Sequence, residues 1–251
     1  MTPQYEELIK IIKGRRSTRR LRTDPIPDEA VEKILEAGRW AMSGANGQPW
    51  EFIVVKDAKL KHDLNRAYQE ELIDYNFWME QMRAPDMRHP AYMLSGTLED
   101  QLKIYQEQSH NLSEAPVVIA VVGDGRRQWA TVMGGHTMGR HQSHLTDGLA
   151  NACTLMHLAA HALGLGSQWV TIQIEDRFKK ILNLPDVMMV HSLMPVGYAA
   201  GAPKQGVRRP LEELVHYDQY NRDRYISNRQ VLDYVRDLRK RTVSIYKGKN
   251  A

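Results

Sequence analysis

Only one cysteine, Cys153, occurs in the 251 residues, so no disulfide can form within the chain. It lies in "LANACTLMHLAAHALG" among small and apolar residues, a place for packing in a helix rather than for reaction or bridging. That usage agrees with a reducing compartment. A run of eighteen apolar residues is also missing, and "MTPQYEELIK" lacks the basic-then-apolar order of a secretory signal, so the expectation is a cytoplasmic protein with no membrane span. Nor is there a strong excess of either charge: 34 basic against 30 acidic residues leave a formal net charge of +4. A nucleic-acid-binding protein usually carries more positive charge, so no nucleic-acid partner is expected. Much of the excess sits in "RDLRKRTVSIYKGKN" near the C-terminus, which reads as a solvated helix end whose cations suit the helix dipole.

Several catalytic signatures are absent as well. "GDGRRQ" lacks the third glycine of a dinucleotide fingerprint, and "GLGSQW" precedes a strand where the fingerprint should follow one. There is no Walker-type loop and no Gly-x-Ser-x-Gly elbow, which removes the usual signals of phosphoryl transfer and hydrolysis. His157 and His161 stand four apart on one predicted helix, with His141 and His144 just upstream. That helix carries no zincin glutamate and no completing carboxylate cluster, so they read as core or interface histidines, and no metal is expected. Paired catalytic carboxylates are not evident. A chain so poor in acids, bases and nucleophiles suits an enzyme whose cofactor carries the chemistry.

What is present alternates helix and strand. "YEELIKIIKGR" carries Leu8, Ile9, Ile11 and Ile12 at helical spacing, and Gly14 releases the chain into "RRSTRR" at Arg15 to Arg20. "TDPIPDEAVEKILEAGRWA" places prolines and Asp28 ahead of an amphipathic helix. The turn-forming "MSGANGQPW" leads into the strand "EFIVVKD", and a second long helix starts near Ala58. The two prolines of "APDMRHPAYMLSG" break that helix, and the stretch from there to Ser113 reads as a mobile cover. "APVVIAVVGDG" predicts a central strand, and "DGLANACTLMHLAAHALGLG" a helix apolar round most of its circumference, as a fully buried one should be. The strands "SQWVTI" and "MVHSLMPVGY" follow, separated by the helical "EDRFKKILNL". No internal repeat, low-complexity segment or long linker appears.

Five pieces then stand in one order: "RRSTR", "PIPDEAVEKILEAGRWA", "MSGANGQPWEFIVV", "GLGSQWVTIQ" and "LMPVGYAAGAPKQGVRRPLEELV". This resembles the FMN-dependent nitroreductase family from Ile9 to about Val215. The resemblance implies an α+β sandwich, a mainly antiparallel central sheet flanked by helices, in an intertwined homodimer with FMN at its interface. It implies a single domain over residues 1–251, with a variable lid at about 66–113 and a helical extension at about 217–251. In that extension Val231, Leu232, Val235 and Leu238 repeat at the spacing of a helix that docks on its own or the partner subunit.

The resemblance also assigns the arginine cluster. Arg15 and Ser17 would contact the FMN phosphate, while Arg16 and Arg19 would lie along the ribityl chain and pyrimidine edge. Guanidinium forks suit phosphate oxygens, and a cation near the pyrimidine would stabilise the charge of reduced flavin. Arg208, with Arg209 as the neighbouring alternative, matches the family's late phosphate-binding arginine. "MSGAN" resembles the segment that the second subunit lays against the flavin, placing Ser43, Gly44 and Asn46 there, with Met42 where proline is commoner. Trp169, Val170 and Thr171 match the strand passing the flavin face, Thr171 acting through its backbone.

An FMN held this way accepts hydride from NADH or NADPH and passes electrons to a second substrate, with ping-pong kinetics. Nitroaromatics and quinones are the acceptors implied. "SGA" at Ser43 to Ala45 together with "EELIDY" is also similar to the iodotyrosine deiodinase branch. There Glu71 and Tyr75 would close over a halotyrosine, with Lys103 the candidate for a third contact. On one helix face those two residues read equally as a lid helix with a surface glutamate and a half-buried tyrosine.

Overall fold

The computed structural model describes residues 2–83, 88, 96–107, 112–127, 141–203, 205–206 and 208–247, apart from the side chains of 104–107, 141–143, 239 and 241–247. Two compact units emerge, one of residues 1–72 and 97–205, the other of 73–96 and 206–251. Much of the predicted cover, at 84–87, 89–95 and 108–111, lies outside the described residues.

The first unit is organised by β2 (Val117–Asp124), buried at all eight positions. It pairs antiparallel with β1 (Trp50–Val55) on one side and β5 (Met188–Gly197) on the other. The short β3 (Gly166–Ser167) and β4 (Val170–Thr171) both pair antiparallel with β5. Successive side chains of a strand point to opposite faces, so a continuous apolar run requires cover on both. Val117, Ile119 and Val121 pack with Val31 and Ile34 of α2 (Asp28–Arg39) and with Leu149, Ala152 and Met156 of α5 (His141–Ala162). Val118, Ala120 and Val122 face Leu64, Ala67 and Tyr68 of α3 (Ala58–Gln81) and Phe178 of α6 (Asp176–Ile181). Each large side chain buried in these layers contributes about 1.5–3 kcal/mol.

α1 (Pro3–Gly14) begins at Thr2, whose hydroxyl accepts a hydrogen bond from Tyr5 N, and ends on Arg15, whose N–H reaches Ile11 O. It buries none of its residues, leaving Tyr5, Leu8 and Ile12 more than 40% exposed. Past it the arginine segment runs beside the sheet, with Ser17 bridging Ser167 in parallel fashion and Leu21 bridging Ala199. This unit also contains α4 (Leu98–Glu107). The second unit contains α7 (Asn228–Lys247), on which Val231, Leu232, Val235 and Leu238 are exposed.

Two expectations need correction. α5 is not buried all round, because Asp147, Asn151 and Thr154 form an exposed stripe at helical spacing. "SQWVTI" is not one strand. Ser167 is held by Ser17 and Val196 and Val170 pairs with Leu193, while the regular pairing lapses at Gln168 and Trp169, where Gln168 N still donates to Pro195 O at 3.4 Å.

Gly166 makes the approach of the arginine segment possible: a Cβ there would come within 2.8 Å of Thr18 Cβ and 2.6 Å of its Cγ2. Thr18 is β-branched and buried, so it has little room to yield. Gly166→Ala should therefore cost about 1–3 kcal/mol in urea denaturation. A cost below a few tenths would show that the segment is loosely docked.

Candidate functional site

A cavity of about 220 Å³ opens where α1, the arginine segment, the C-terminal end of α5 and β3 meet. Arg15, Arg16, Thr18, His161 and Ser167 line it, with the main chain at Gly164 to Gly166. The segment is fixed by a main-chain hydrogen bond of 2.9 Å from Thr18 N to Ser167 O. Arg16 Nη1 donates to Lys13 O and, at 2.9 Å, to Arg15 O, tying that guanidinium to the end of α1. His161 packs its Nε2 against Gly14, within 2.4 Å of where a Cβ would stand. Two arginines and two hydroxyl-bearing residues line one cavity, residue types that suit a phosphate-like anion.

Behind the cavity lies a buried polar cluster. His157 Nδ1 is 2.7 Å from Ser167 Oγ, and its Nε2 is buried with no hydrogen-bond partner among the described residues. Burial, with the Arg15 charge nearby, pushes the imidazole down to about 4, so it is neutral at physiological pH. Trp169 stacks on His157 at 6.1 Å between ring centroids and meets His191 edge-on at 5.3 Å. Cys153 Sγ, 3.3 Å from Ser192 Oγ, is pushed up to about 11 by burial and is a packed thiol rather than a nucleophile.

Ser43 to Asn46 lie elsewhere. The Gly44–Asn46 turn holds Ala45 at φ 49° and Asn46 at φ 53°, with Gln48 at φ 44° just beyond. Three non-glycine residues in the left-handed region within four positions mark a strained loop. It is braced by Gln48 N donating to Ser43 Oγ at 3.0 Å and by Asn151 Nδ2 donating to Met42 O at 3.0 Å. Gly44 sits by His144, and Gly148 by Ser43 and Pro49, near the N-terminal end of α5. The arginine segment instead meets α5 at His161. At about 1.5 Å per residue, His144 and His161 are about 25 Å apart along the helix. One chain thus brings Arg15, Arg16 and Ser17 together with Ser167, and Trp169 stands behind them on His157. It does not bring Ser43, Gly44, Ala45 or Asn46 to the same place.

Of the other expected residues, Arg19 is exposed, Val170 is buried and Thr171 is exposed on β4. Arg208 and Arg209 are exposed in the second unit, Arg209 beside Glu213 at 3.3 Å. Tyr75, also of that unit, is exposed. Glu71 is buried, its Oε1 accepting from Gln173 N while its Oε2 has no hydrogen-bond partner. Neighbouring Glu70 is paired with Arg66 and Arg177. Among the described residues no group of His, Cys, Asp or Glu side chains could hold a metal ion, and no helix is long and apolar enough to cross a membrane. Sequence reasoning passed over Thr18 and Ser167. Their signal was position: Thr18 sits within "RRSTRR", and Ser167 within a glycine pair set aside as a dinucleotide fingerprint.

The pattern of the nitroreductase family matches residues 12–198. Iodotyrosine deiodinase 1 of Rattus norvegicus is 27% identical over 214 residues, covering 84% of this chain and 67% of the relative. The chain thus spans about two thirds of the length of that deiodinase. The NADH dehydrogenase of Thermus thermophilus is 27% identical over 201 residues, covering 80% of this chain and 91% of the relative. Among solved structures, a protein described as a nitroreductase in complex with FMN, from Desulfovibrio desulfuricans, is 25% identical with a TM-score of 0.56, covering 88% and 99% of the two chains.

Burial raises the Glu71 carboxyl above its ordinary value, against the opposing hydrogen bonds of Gln173 and Ile174 and the Arg177 charge. A carboxyl raised on folding costs stability as pH climbs above the unfolded value, because only the folded state must then ionise it in a dry site. Glu71→Gln keeps an acceptor for Gln173 N–H and cannot ionise. Its stability should therefore gain on the wild type as pH climbs above the ordinary carboxyl value of 4.5, read by urea denaturation. Parallel pH profiles would show Glu71 to be an ordinary carboxylate.

Proposed function

The chain belongs to the nitroreductase family, and we propose that it is a homodimeric, FMN-dependent NAD(P)H oxidoreductase that reduces flat, electron-poor molecules such as nitroaromatics and quinones by a ping-pong mechanism. The carrying observation is the cavity at the end of α5, where Arg15, Arg16, Thr18 and Ser167 converge. Its donor chemistry fits a phosphate monoester. The FMN described with the Desulfovibrio desulfuricans protein and the NADH of the Thermus thermophilus relative's name support the same cofactor and donor.

When bound, FMN supplies a ring that takes hydride from NADH or NADPH and returns electrons to an acceptor. The residues of the chain bind and orient it. Arg15 and Ser17 would hold the phosphate, and Arg16 and Arg19 the ribityl chain and pyrimidine edge, where positive charge favours the reduced state. Trp169, Val170 and Thr171 would border the ring. Trp169 is kept in place by His157 and His191, and β4 by its pairing with Leu193 and Ser192. Ser43, Gly44 and Asn46 belong to the same site in this reading, and their place at the far end of α5 calls for a second copy of the chain to supply them. The exposed stripes of α5 and α1 offer surface for that copy.

Similarity to the deiodinases favours a second reading, reductive dehalogenation of a halotyrosine, with Glu71, Tyr75 and Ala45 at the substrate. It requires the Glu71 carboxylate to leave Gln173 N, and that bond supports the electron-poor acceptors first. Replacing Glu71 and Tyr75 should spare quinone reduction if the first reading holds and abolish dehalogenation selectively if the second does.

The freshly purified protein should be yellow and should bleach anaerobically on addition of NADH or NADPH, followed by visible absorbance. A colourless protein that fails to take up added FMN would overturn the assignment.

A further inference from the structure

Ser167 is the point at which the cavity meets the buried cluster. Its carbonyl accepts from Thr18 N, its hydroxyl is 2.7 Å from His157 Nδ1, and the residue lines the cavity. His157 is 94% removed from solvent by its 6% relative exposure, so its ring is held in one orientation. A neutral imidazole carries one proton, and the choice of nitrogen decides what Ser167 presents. With the proton on Nε2, Ser167 must donate to Nδ1 and would turn an oxygen lone pair towards an anion. With the proton on Nδ1, Ser167 Oγ accepts, and its own hydrogen is free to point into the cavity. Among the described residues Nε2 has no hydrogen-bond partner, and a buried acceptor left alone is less unfavourable than a buried N–H left alone. The second arrangement is therefore favoured.

We propose that His157 is a positioning residue for the anion cavity: its Nδ1–H donates to Ser167 Oγ and so makes the Ser167 hydroxyl a donor to the phosphate of the cofactor. The inference rests on the FMN reading above. It gives the buried histidine a role through a neighbour, with no contact to the reacting atoms. Its neutrality, enforced by burial and by the Arg15 charge, also avoids adding a third fixed cation beneath the phosphate.

The test compares FMN with riboflavin, which lacks the phosphate, by fluorescence titration of the flavin-stripped full-length chain. His157→Leu and Ser167→Ala should each weaken FMN binding about tenfold or more beyond any change in riboflavin binding, the effect of losing one hydrogen bond to a charged group, since a shift of Trp169 would touch both flavins alike. The double variant should lose no more than either single one. His157→Asn, which places an amide N–H near the position of Nδ1, should recover most of the loss. In the wild type, the nitrogen-15 NMR signals of His157 should show Nδ1 protonated and Nε2 bare. Equal weakening of both flavins, unchanged FMN binding in His157→Leu, or a proton on Nε2 would overturn the inference and leave the cofactor assignment standing. A wild-type chain that binds neither flavin would overturn both.

Discussion

The hydrogen bond from Thr18 N to Ser167 O fixes a charged, otherwise solvated segment against the edge of the sheet. Four arginines within six residues repel one another and would spread into water if nothing held their backbone. Here Ser17 is bridged to Ser167, Leu21 to Ala199, and Thr18 is buried against Gly166, where only hydrogen fits. Arg15 and Arg16 are then presented beside Ser167, with the Arg16 guanidinium tied to the carbonyls of Lys13 and Arg15. Two adjacent cations held in this way would gain from an anion in the cavity, as the proposed phosphate site requires.

The length of α5 is the second constraint. The helix packs with α2 on one face of the sheet, with Ser43 and Gly44 near its N-terminal end and Arg15 and Arg16 near its C-terminal end. A single chain cannot close a gap of about 25 Å with side chains. The strained Ala45, Asn46 and Gln48 backbone is an investment at the end remote from the arginines, which makes sense if that loop serves the site of another copy.

Much of this was legible in the sequence. β2 announced itself as a continuous apolar run closed by a glycine turn, and its observed burial on both faces is the reason for that run. α1, α2 and the entry into β1 were marked by capping residues, prolines and a turn-rich stretch. The exposed stripe of α5 was hidden because Asp147, Asn151 and Thr154 are spaced among alanine, glycine and cysteine, which carry little periodic signal. Other features depended on approach across long separations. Glu71 turns inward because Gln173 N meets it, and His157 gains meaning only beside Ser167. The bridge between Ser17 and Ser167 joins residues far apart in the chain, which no local pattern encodes.

The central claim is that one cofactor site is built from two copies of the chain, and subunit mixing tests it most directly. One variant would carry Arg15→Ala with Arg16→Ala, the other Asn46→Trp, each expected to be a dimer that fails to hold FMN. Unfolded together in equal amounts and refolded, about half of the dimers would be mixed, each with one intact site, so about a quarter of the chains should recover bound FMN. A mixture that binds no more FMN than its parents, while remaining dimeric, would contradict the account and place both halves of the site in the same chain.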